Sequence, residues 1–389
     1  MNLFKRKGSL KFTKMTLTLI PLAPIHVWSG NDAVLGIDAV IRPDGKLCIV
    51  DLEQLTPDIA EALAKTSPQQ LFQKIKEYVE KLPCKNVVPV YTTLEENSRI
   101  KLLSSQIVPG SSLKGYIRTA LAYYILSTMK KEAAKSLLRG GIDLSEKPQK
   151  ISQGLEGGLF RKPRPKTQGG FVDMLQGLLI SDPQPEDVKL GVVNLMTYEI
   201  IDREIKEIAT VNAVALLKGT LKYDLLIETI HDVSFSDKPY LRPKRISSKE
   251  VHKIISDLKS DIEKLGVLSK DIIKHALMKF GCSIVENELS RVKEIAKLNG
   301  YRKFLEDIKK KYCEKAYGKC AIARIGFMTG HRAKTILSLV EKLDPKLYGN
   351  IRNIMEMYFG KTWNLRTLKL VRINKEFRGI GWCELCLEN

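Results

Sequence analysis

The sequence has 389 residues, with 64 Lys and Arg against 44 Asp and Glu, which gives a net charge of +20. A hydrophobic content of 44% at this length excludes a wholly disordered chain and allows two or three packed domains. The basic excess predicts an acidic partner, and for a soluble protein the commonest one is the phosphate backbone of nucleic acid. The 7 scattered cysteines fit free thiols in a reducing cytoplasm better than a disulfide framework.

The N-terminal region combines basic residues with an apolar stretch at 15–25, which is also the composition of a signal peptide. Pro21 and Pro24 interrupt this stretch, and residues 16–19 alternate polar with apolar, which predicts a strand over 11–20 instead. No other segment has the roughly 20 uninterrupted apolar residues that span a bilayer. We therefore expect a cytoplasmic protein that is not exported and has no membrane partner.

Hydrophobic periodicity predicts strands and helices that alternate along the chain, which is an α+β fold. The predicted strands lie at 11–20, 47–51, 87–92, 208–217, 219–230, 363–373 and 380–387, and the predicted helices at 56–80, 112–128 and through 247–316. Gly219 is expected to form the turn between the fourth and fifth of these strands. Residues 140–170 are rich in Gly, Pro, Lys and Arg without apolar periodicity, which predicts a long loop.

The sharpest local signal is VPGSSLKGYIRTAL at 108–121, where a Pro-Gly-Ser-Ser turn ends as a helix begins. The free N–H groups and the dipole of a helix start favour an anion, and Lys114 and Arg118 share one helical face beside it. An ordinary Ser-capped helix with two surface cations is the alternative. A phosphate site here would use Gly110, Ser111, Ser112, Lys114 and Arg118.

A second glycine loop, ARIGFMTGHRAKT at 323–335, also joins a predicted strand to a helix. Its two glycines let the backbone approach a ligand closely, and Phe327 could stack on a base or pack in the core. His331 could contact a ligand or be an exposed bystander. The candidate RNA contacts of this loop are Arg324, Gly326, Phe327, Gly330, His331, Arg332 and Lys334.

Prolines hold two further basic clusters in an extended form, so that their cations could follow a phosphate chain. A solvated linker is the alternative for each cluster. The first cluster is Arg161, Lys162, Arg164 and Lys166, and the second is Arg242, Lys244 and Arg245.

Together, the two glycine loops resemble the helix-starting signature and the G-rich loop of the RAMP superfamily of CRISPR proteins. Further matching segments follow in the same order at 22–30 (LAPIHVWSG), 178–182 (LLISD), 217–221 (LKGTL) and 381–382 (GW). The arrangement is most similar to the Csm-family RAMP subunit that caps type III CRISPR effectors at the 3′ end of the guide RNA. Trp28 and Glu384 depart from the family pattern, in which a small and a basic residue are usual at these places.

The resemblance implies two ferredoxin-like, RRM-related domains, at 1–139 and at 191–246 with 319–389. A basic Gly/Pro-rich loop region at 140–190 lies between the two domains, and a helical insertion at 247–318 interrupts the second domain. The resemblance also implies binding of guide RNA by the glycine loops and contact with neighbouring RAMP backbone subunits. Target RNA and recruited nucleases are further candidate partners, and no cofactor is expected.

Two residues are candidates for catalysis. The segment GIDAVI around Asp38 faintly resembles the sequence around a catalytic Asp of the related backbone subunit. That Asp cleaves target RNA with a divalent metal. His26 could act as a general base toward a 2′-hydroxyl, although no partner acid or base is visible beside it. Cys383 and Cys386 have chelating spacing, but on a strand they face opposite sides, and no metal site is expected.

These observations favour a non-catalytic subunit that binds and caps guide RNA. An endoribonuclease that acts on guide or target RNA through Asp38 or His26 is one alternative. A pure assembly protein, whose basic surface meets only acidic neighbouring subunits, is the other.

Overall fold

The computed structural model describes residues 12–54, 56–79, 81–148, 150–163, 171–228, 269–314, 318–360, 367–373 and 376–388. Within them, helices and strands are mixed, as the α+β prediction requires. The strands are β1 Phe12–Pro21, β2 Trp28–Val34, β3 Ala39–Ile41, β4 Lys46–Val50, β5 Cys84–Pro89, β6 Arg99–Leu103, β7 Arg161–Pro163, β8 Phe171–Asp173, β9 Leu178–Ile180, β10 Gln184–Ile201, β11 Glu204–Glu228, β12 Cys320–Arg324, β13 Thr367–Ile373, β14 Glu376–Gly379 and β15 Trp382–Glu388. The helices are α1 Pro57–Ala64, α2 Pro68–Val79, α3 Gly110–Thr128, α4 Lys131–Gly141, α5 Gln153–Phe160, α6 Lys270–Val292, α7 Asn299–Tyr312, α8 Leu337–Leu343 and α9 Pro345–Phe359.

A sheet of ten strands forms the centre of the described part of the chain. Its main path runs in the order β12-β15-β1-β11-β10-β13-β14, and β2, β6 and β9 pair beside this path. β1 lies antiparallel between β11 and β15, with Leu17 opposite Tyr223 on one side and opposite Leu387 on the other. The sheet therefore joins the first described strand directly to the last one.

Helices α3 and α6 pack against each other and against this sheet. The apolar residues of α3 recur every three or four positions, so that Leu113 and Ile117 lie on one fully buried stripe. On α6, the Phe280 ring lies 5.4 Å from the ring of Tyr116 and 5.5 Å from that of Tyr123, measured between centroids. These contacts fix the start of α3 relative to the strand β12 that follows the α6–α7 segment.

A second sheet of three strands, β3-β4-β5, has its own small core. Leu47 and Val88 of this sheet pack with Val192 and Val214 of the long β10–β11 hairpin. The segment predicted as one helix at 56–80 forms two helices, α1 and α2, because Pro68 begins the second one.

Two sequence predictions about irregular segments are wrong. Gly219 lies inside the continuous strand β11, where its φ of +127° accompanies a register shift between Glu186 and Lys189 of β10. A bulge and a turn both use glycine at positive φ, so the residue pattern alone does not distinguish them. The predicted loop at 140–170 contains helix α5, whose Leu159 and Phe160 are buried.

The prediction of free thiols is also wrong for six of the seven cysteines. Disulfides join Cys48 to Cys84, Cys282 to Cys313 and Cys320 to Cys386. The partners are 36, 31 and 66 residues apart in the sequence, and it is strand pairing and helix packing that bring them together. Cys383 is free and buried, and it faces away from Cys386, as strand geometry predicts.

The N-terminal apolar stretch that resembled a signal peptide forms strand β1, which confirms the strand prediction. Its side chains at Met15, Leu17 and Leu19 point into the main core. In the described residues, no helix is long and apolar enough to cross a membrane.

Candidate functional site

The two glycine-containing motifs singled out in the sequence both contribute residues to one cleft, the first through helix α3 and the second through its loop, and the cleft has a volume of about 520 Å³. Ser112 and Thr119 of α3 line one side, and Phe327 and Lys334 line the other. Trp28, at the start of β2, also lines this space. We call the cleft lined by these five residues the loop cleft.

Gly326 fixes the second loop to the segment that follows β1. Its φ is +110°, and a Cβ built on it would lie 2.6 Å from the carbonyl oxygen of His26. The backbone N–H of Phe327 donates to that same carbonyl over 2.6 Å. A side chain at position 326 therefore has neither the conformation nor the space it needs. Gly330 differs, because its φ of +84° is combined with open space around the built Cβ.

An exposed aromatic pair borders the loop cleft. Trp28 is 42% exposed, and its ring centroid lies 6.1 Å from that of the half-buried Phe327. The ammonium group of Lys101 lies 3.8 Å from the centroid of the Trp28 ring. Asp32 holds this arrangement, because it accepts hydrogen bonds from Trp28 Nε1 at 3.0 Å and from Lys101 Nζ at 3.2 Å. Aromatic faces beside a cation are suited to stacking unpaired bases next to a phosphate.

The start of α3, predicted as an anion site, is occupied by the chain's own carboxylate. The N–H of Gly110 donates to Asp182 Oδ1 over 3.1 Å, and a Cβ on Gly110 would lie 2.2 Å from the carbonyl oxygen of Ser181. Ser112 remains at the loop cleft, while Ser111 is exposed. This close contact with the backbone at Ser181 is sufficient to require glycine at position 110 without any ligand.

Arg118 and Lys114 share one face of α3, as their spacing predicts, but this face meets carboxylates. Arg118 forms ion pairs with Asp173 at 2.9 Å and with Glu156 at 3.3 Å. Burial lowers the pKa of Lys114, and the nearby Asp173 opposes this shift. Carboxylates from α5 and from the end of β8 pair with Arg118, and its predicted contact with RNA phosphate stays a prediction.

Arg324 was predicted to contact RNA, but it is a core residue. Its side chain is 3% exposed and lies 3.0 Å from Glu288 of α6. It also donates to the carbonyl oxygens of Ile380 at 2.9 Å and of Lys369 at 3.1 Å. Burial opposes the charge of Arg324, but Glu288 and Tyr301 together outweigh it and raise the pKa of the guanidinium. This arginine ties α6 to the end of β12 and has no surface role.

Behind the second loop lies a smaller cavity of about 240 Å³, between α6, the loop and β13. His331 and Arg332 line it, together with Arg291 and Lys369. We call it the basic pocket. Burial and the cations Arg332, Arg291 and Lys369 lower the pKa of His331 to about 4, so its imidazole is neutral at pH 7. Arg332 pairs with Glu341 at 3.0 Å.

His26 is placed as a packing residue. It is fully buried, its Nδ1 donates to the carbonyl oxygen of Val214 over 2.7 Å, and its ring lies edge-on to Phe327 at 5.7 Å. Burial lowers its pKa. A general base must reach the proton that it abstracts, and this imidazole is closed off from a substrate.

Asp38 lies in the tight turn between β2 and β3, where its carboxylate accepts a hydrogen bond from the N–H of Val34. In the part of the chain that the structure describes, three possible metal ligands come together only at Cys320, Glu384 and Cys386. The sulfurs of Cys320 and Cys386 are bonded to each other. Asp38 is not in this group, and its observed contact is that of a turn residue.

No protein-family profile matches the chain. The CRISPR system Cms protein Csm5 of Methanocaldococcus jannaschii is 23% identical to this chain over an alignment of 403 positions. The alignment covers 94% of this chain and 87% of that protein. A chain in the cryo-EM structure of a Csm-crRNA-target RNA ternary complex of a type III-A CRISPR-Cas system has a TM-score of 0.61 and 17% identity, with 96% of this chain and 100% of that chain covered. The crystal structure of T. onnurineus Csm5 has a TM-score of 0.50 and 16% identity, and the match covers 95% of this chain and 99% of that chain.

The chain resembles a Csm-family subunit of a type III CRISPR effector complex. The similarity extends over almost the whole chain, and it confirms the resemblance drawn from the two glycine loops.

If Asp38 is only a turn residue, Asp38→Ala leaves RNA cleavage by the assembled complex at the wild-type level. The expected effect is a local one, because the loss of one hydrogen bond to a backbone N–H costs about 0.5–1.5 kcal/mol. The measurement is cleavage of labelled target and repeat RNA, with and without Mg²⁺, by complexes that contain either chain. A metal-dependent cut that disappears only with Asp38→Ala would show that this carboxylate is catalytic.

Sequence reasoning assigned no role to Trp28, which lines the loop cleft, or to Lys101, which contacts the Trp28 ring. Trp28 was noted only as a departure from the family pattern, and a large aromatic in place of a small residue was the available signal. Arg161 is exposed on β7, where Lys162 also lies. Arg164 and Lys166 of the first basic cluster lie outside the described residues, as does the whole second cluster at 242–245.

Proposed function

We propose that this chain is the guide-RNA-binding cap of a type III CRISPR effector complex, where it supports guide-RNA maturation and antiviral defence without catalysing cleavage. It works in the cytoplasm against neighbouring RAMP backbone subunits, with target RNA and recruited nucleases as partners of the assembly. The observation that carries the proposal is that helix α3, which belongs to the first predicted motif, and the second glycine loop line one cleft, beside the exposed Trp28. The Csm5 relative and the neighbour in a Csm-crRNA-target RNA complex support guide RNA and other Csm subunits as partners.

The loop cleft offers the two kinds of contact that single-stranded RNA needs. Trp28 and Phe327 present aromatic rings on which unpaired bases stack, at about 1–3 kcal/mol per base. Lys334 is exposed at the same cleft and can meet a phosphate, whereas Lys101 lies against the Trp28 ring and pairs with Asp32. Neither contact reads the identity of a base, as expected for a subunit that receives guides of many sequences.

For the fold we propose the ferredoxin-like arrangement that the resemblance implied. Strand β1, helix α3, the β10–β11 hairpin, helix α6 and strand β15 follow each other in the chain, with strand neighbours in the order β15-β1-β11-β10. This is a βαββαβ connectivity. It draws its elements from both segments predicted as domains, 1–139 and 191–246 with 319–389. The second ferredoxin-like unit, the basic connecting region at 140–190 with its helix α5, and the insertion at 247–318 stay part of the proposal.

The absence of catalysis in the proposal rests on the two candidate groups. His26 is enclosed by protein on both the Val214 and the Phe327 side. Asp38 is engaged in its own turn. In this proposal, cleavage of RNA belongs to other subunits of the assembly.

The proposal is tested by titrating labelled guide-length RNA into the full chain and into the variants Trp28→Ala, Phe327→Ala and Lys334→Ala. Each aromatic variant is expected to weaken binding by about 1–3 kcal/mol, because it removes one stacking face. Lys334→Ala is expected to flatten the log-log salt dependence by roughly 0.7, the value for one phosphate contact with a single strand. The loss should be about equal for RNAs of different sequence.

The matched control is Lys346→Ala, which removes an exposed cation of α9 away from the cleft. It should change neither the affinity beyond the effect of net charge nor the sequence dependence. Circular dichroism and thermal melting show which variants are folded. Wild-type affinity in all three folded cleft variants would refute an RNA role for the loop cleft.

A further inference from the structure

The basic pocket behind the second glycine loop collects more positive charge than the described protein neutralises. Four side chains with positive charge line it, from α6, β12, the loop and β13. They are Arg291, Arg324, Arg332 and Lys369. Its volume of about 240 Å³ is large enough for a small anion and its hydration.

Two carboxylates pair with these four cations in the described structure. Glu288 lies 3.0 Å from Arg324 and 3.6 Å from Arg291, and it accepts a hydrogen bond from the hydroxyl of Tyr301 at 3.1 Å. Burial raises the cost of its charge, but Arg324 and Arg291 outweigh this and lower its pKa. Glu288 is thus fully engaged by protein donors.

The second carboxylate, Glu341, binds Arg332 Nη1 at 3.0 Å. Arg332 Nε is buried and has no hydrogen-bond partner in the described residues. A buried N–H donor without an acceptor costs free energy, so this group favours an acceptor in the pocket.

Lys369 also has no carboxylate partner among the described residues. Its ammonium donates to the hydroxyl of Thr197 over 2.9 Å, which supplies an acceptor but no charge. Burial, with Arg291 and Arg324 nearby, lowers its pKa to about 8. His331 adds no charge at pH 7, because its pKa is lowered to about 4. Within the described residues, four cations against two carboxylates leave the pocket two positive charges in excess.

We propose that the basic pocket binds the terminal phosphate of an RNA strand. A phosphate monoester carries about −1.5 to −2 charges at pH 7 and three strong acceptor oxygens, which match the two excess charges and the unpaired Arg332 Nε. An internal phosphodiester carries one negative charge and would leave one cation unmatched. Arginine is the residue suited to planar, bidentate contact with phosphate oxygens.

The position of the pocket connects this inference to the loop cleft. Arg324 and Ala333 line both cavities, so a short stretch of protein separates them. Gly330 lines the pocket, and the space beside its Cα is open. The end of an RNA strand held in the loop cleft would therefore lie next to the pocket. That this strand is RNA rests on the function proposed above.

The first experiment uses inorganic phosphate and needs no RNA. Thermal melting of the full chain is measured against phosphate concentration, with sodium chloride at equal ionic strength as the reference. We expect saturable stabilisation of the wild type, and a roughly tenfold or larger loss of phosphate affinity in Lys369→Gln and Arg332→Gln, since each removes a charged hydrogen-bond donor. Lys346→Gln, a substitution on the exposed side of α9, should keep the wild-type response.

A second measurement works on the wild type alone, in case the pocket variants do not fold. Acetylation of lysines is followed by mass spectrometry with and without phosphate. Bound phosphate is expected to slow modification of Lys369 and to leave Lys346 unchanged. No saturable stabilisation of the wild type, unchanged acetylation of Lys369, or equal phosphate affinity in folded wild type and variants would overturn the anion site.

The RNA arm compares one oligonucleotide with a 3′-phosphate, a 5′-phosphate or hydroxyl groups at both ends. One phosphorylated form should bind at least several-fold more tightly than the hydroxyl form, and Lys369→Gln should remove this difference. Equal affinity of all three for wild type would overturn the assignment to an RNA end. If the chain binds no RNA at all, the proposed function fails while the phosphate and acetylation results still decide whether the anion site exists.

Discussion

Replacing Arg324 with methionine is expected to lower the free energy of unfolding by about 3–5 kcal/mol, because it leaves the carboxylate of Glu288 buried without its main partner. Two hydrogen bonds from the guanidinium, to the carbonyl oxygens of Ile380 and Lys369, are lost with it. The measurement is chemical denaturation of the full chain, followed by circular dichroism. A value near that of the wild type would contradict the assignment of Arg324 to the core.

The double variant Arg324→Met with Glu288→Met provides the control. If the cost of the single variant comes from an uncompensated buried charge, the double variant should be less destabilised than the sum of the two single variants. The difference measures the coupling between the two side chains. Additive effects would show that the two residues contribute independently.

Gly326→Val is expected to destabilise the chain by about 2–6 kcal/mol and to abolish association with guide RNA. A non-glycine residue at positive φ costs about 1–3 kcal/mol, and overpacking costs about 1–3 kcal/mol more. Here the added Cβ would lie 2.6 Å from the backbone carbonyl oxygen of His26, which is held in place by the loop. The loop must shift, and Phe327 and Lys334 leave the loop cleft with it.

Gly330→Val is the matched control, because Gly330 also has a positive φ but open space around its Cβ position. Its stability loss should be limited to the backbone strain of about 1–3 kcal/mol. Denaturation midpoints and co-purified RNA are measured for both variants. Equal destabilisation by the two substitutions, or wild-type amounts of guide RNA with folded Gly326→Val, would contradict the close approach of the loop to His26.

Local patterns predicted the elements that position the site. The apolar spacing of Leu113 and Ile117 gave the buried stripe of α3, and both residues are fully buried in the structure. The alternation at 16–19 predicted β1, which lies between β11 and β15 in the main sheet. Periodicity succeeds here because a long amphipathic segment has one face that must be buried, whatever lies opposite to it.

Partners from distant parts of the chain could not be predicted in this way. Arg118 follows Ser112 by only six positions in the sequence, but its ion-pair partner Asp173 lies 55 positions further along the chain. Arg324 precedes a glycine loop, which suggested a ligand, yet its charge is matched by Glu288 of α6. The sequence around a basic residue does not show whether its side chain contacts solvent, RNA or a buried carboxylate. Only the tertiary packing distinguishes these roles.

The most direct test of the loop cleft as the RNA site is ultraviolet crosslinking of guide RNA in the assembled complex, followed by mass spectrometry of this chain. We expect crosslinked peptides that contain Trp28 and Phe327, since both rings border the cleft where bases would stack. Complexes with Trp28→Ala should lose the first of these crosslinks and keep the second. A chain that carries no crosslinks, or crosslinks only outside the segments 26–28, 112–119 and 324–334, would contradict the proposal.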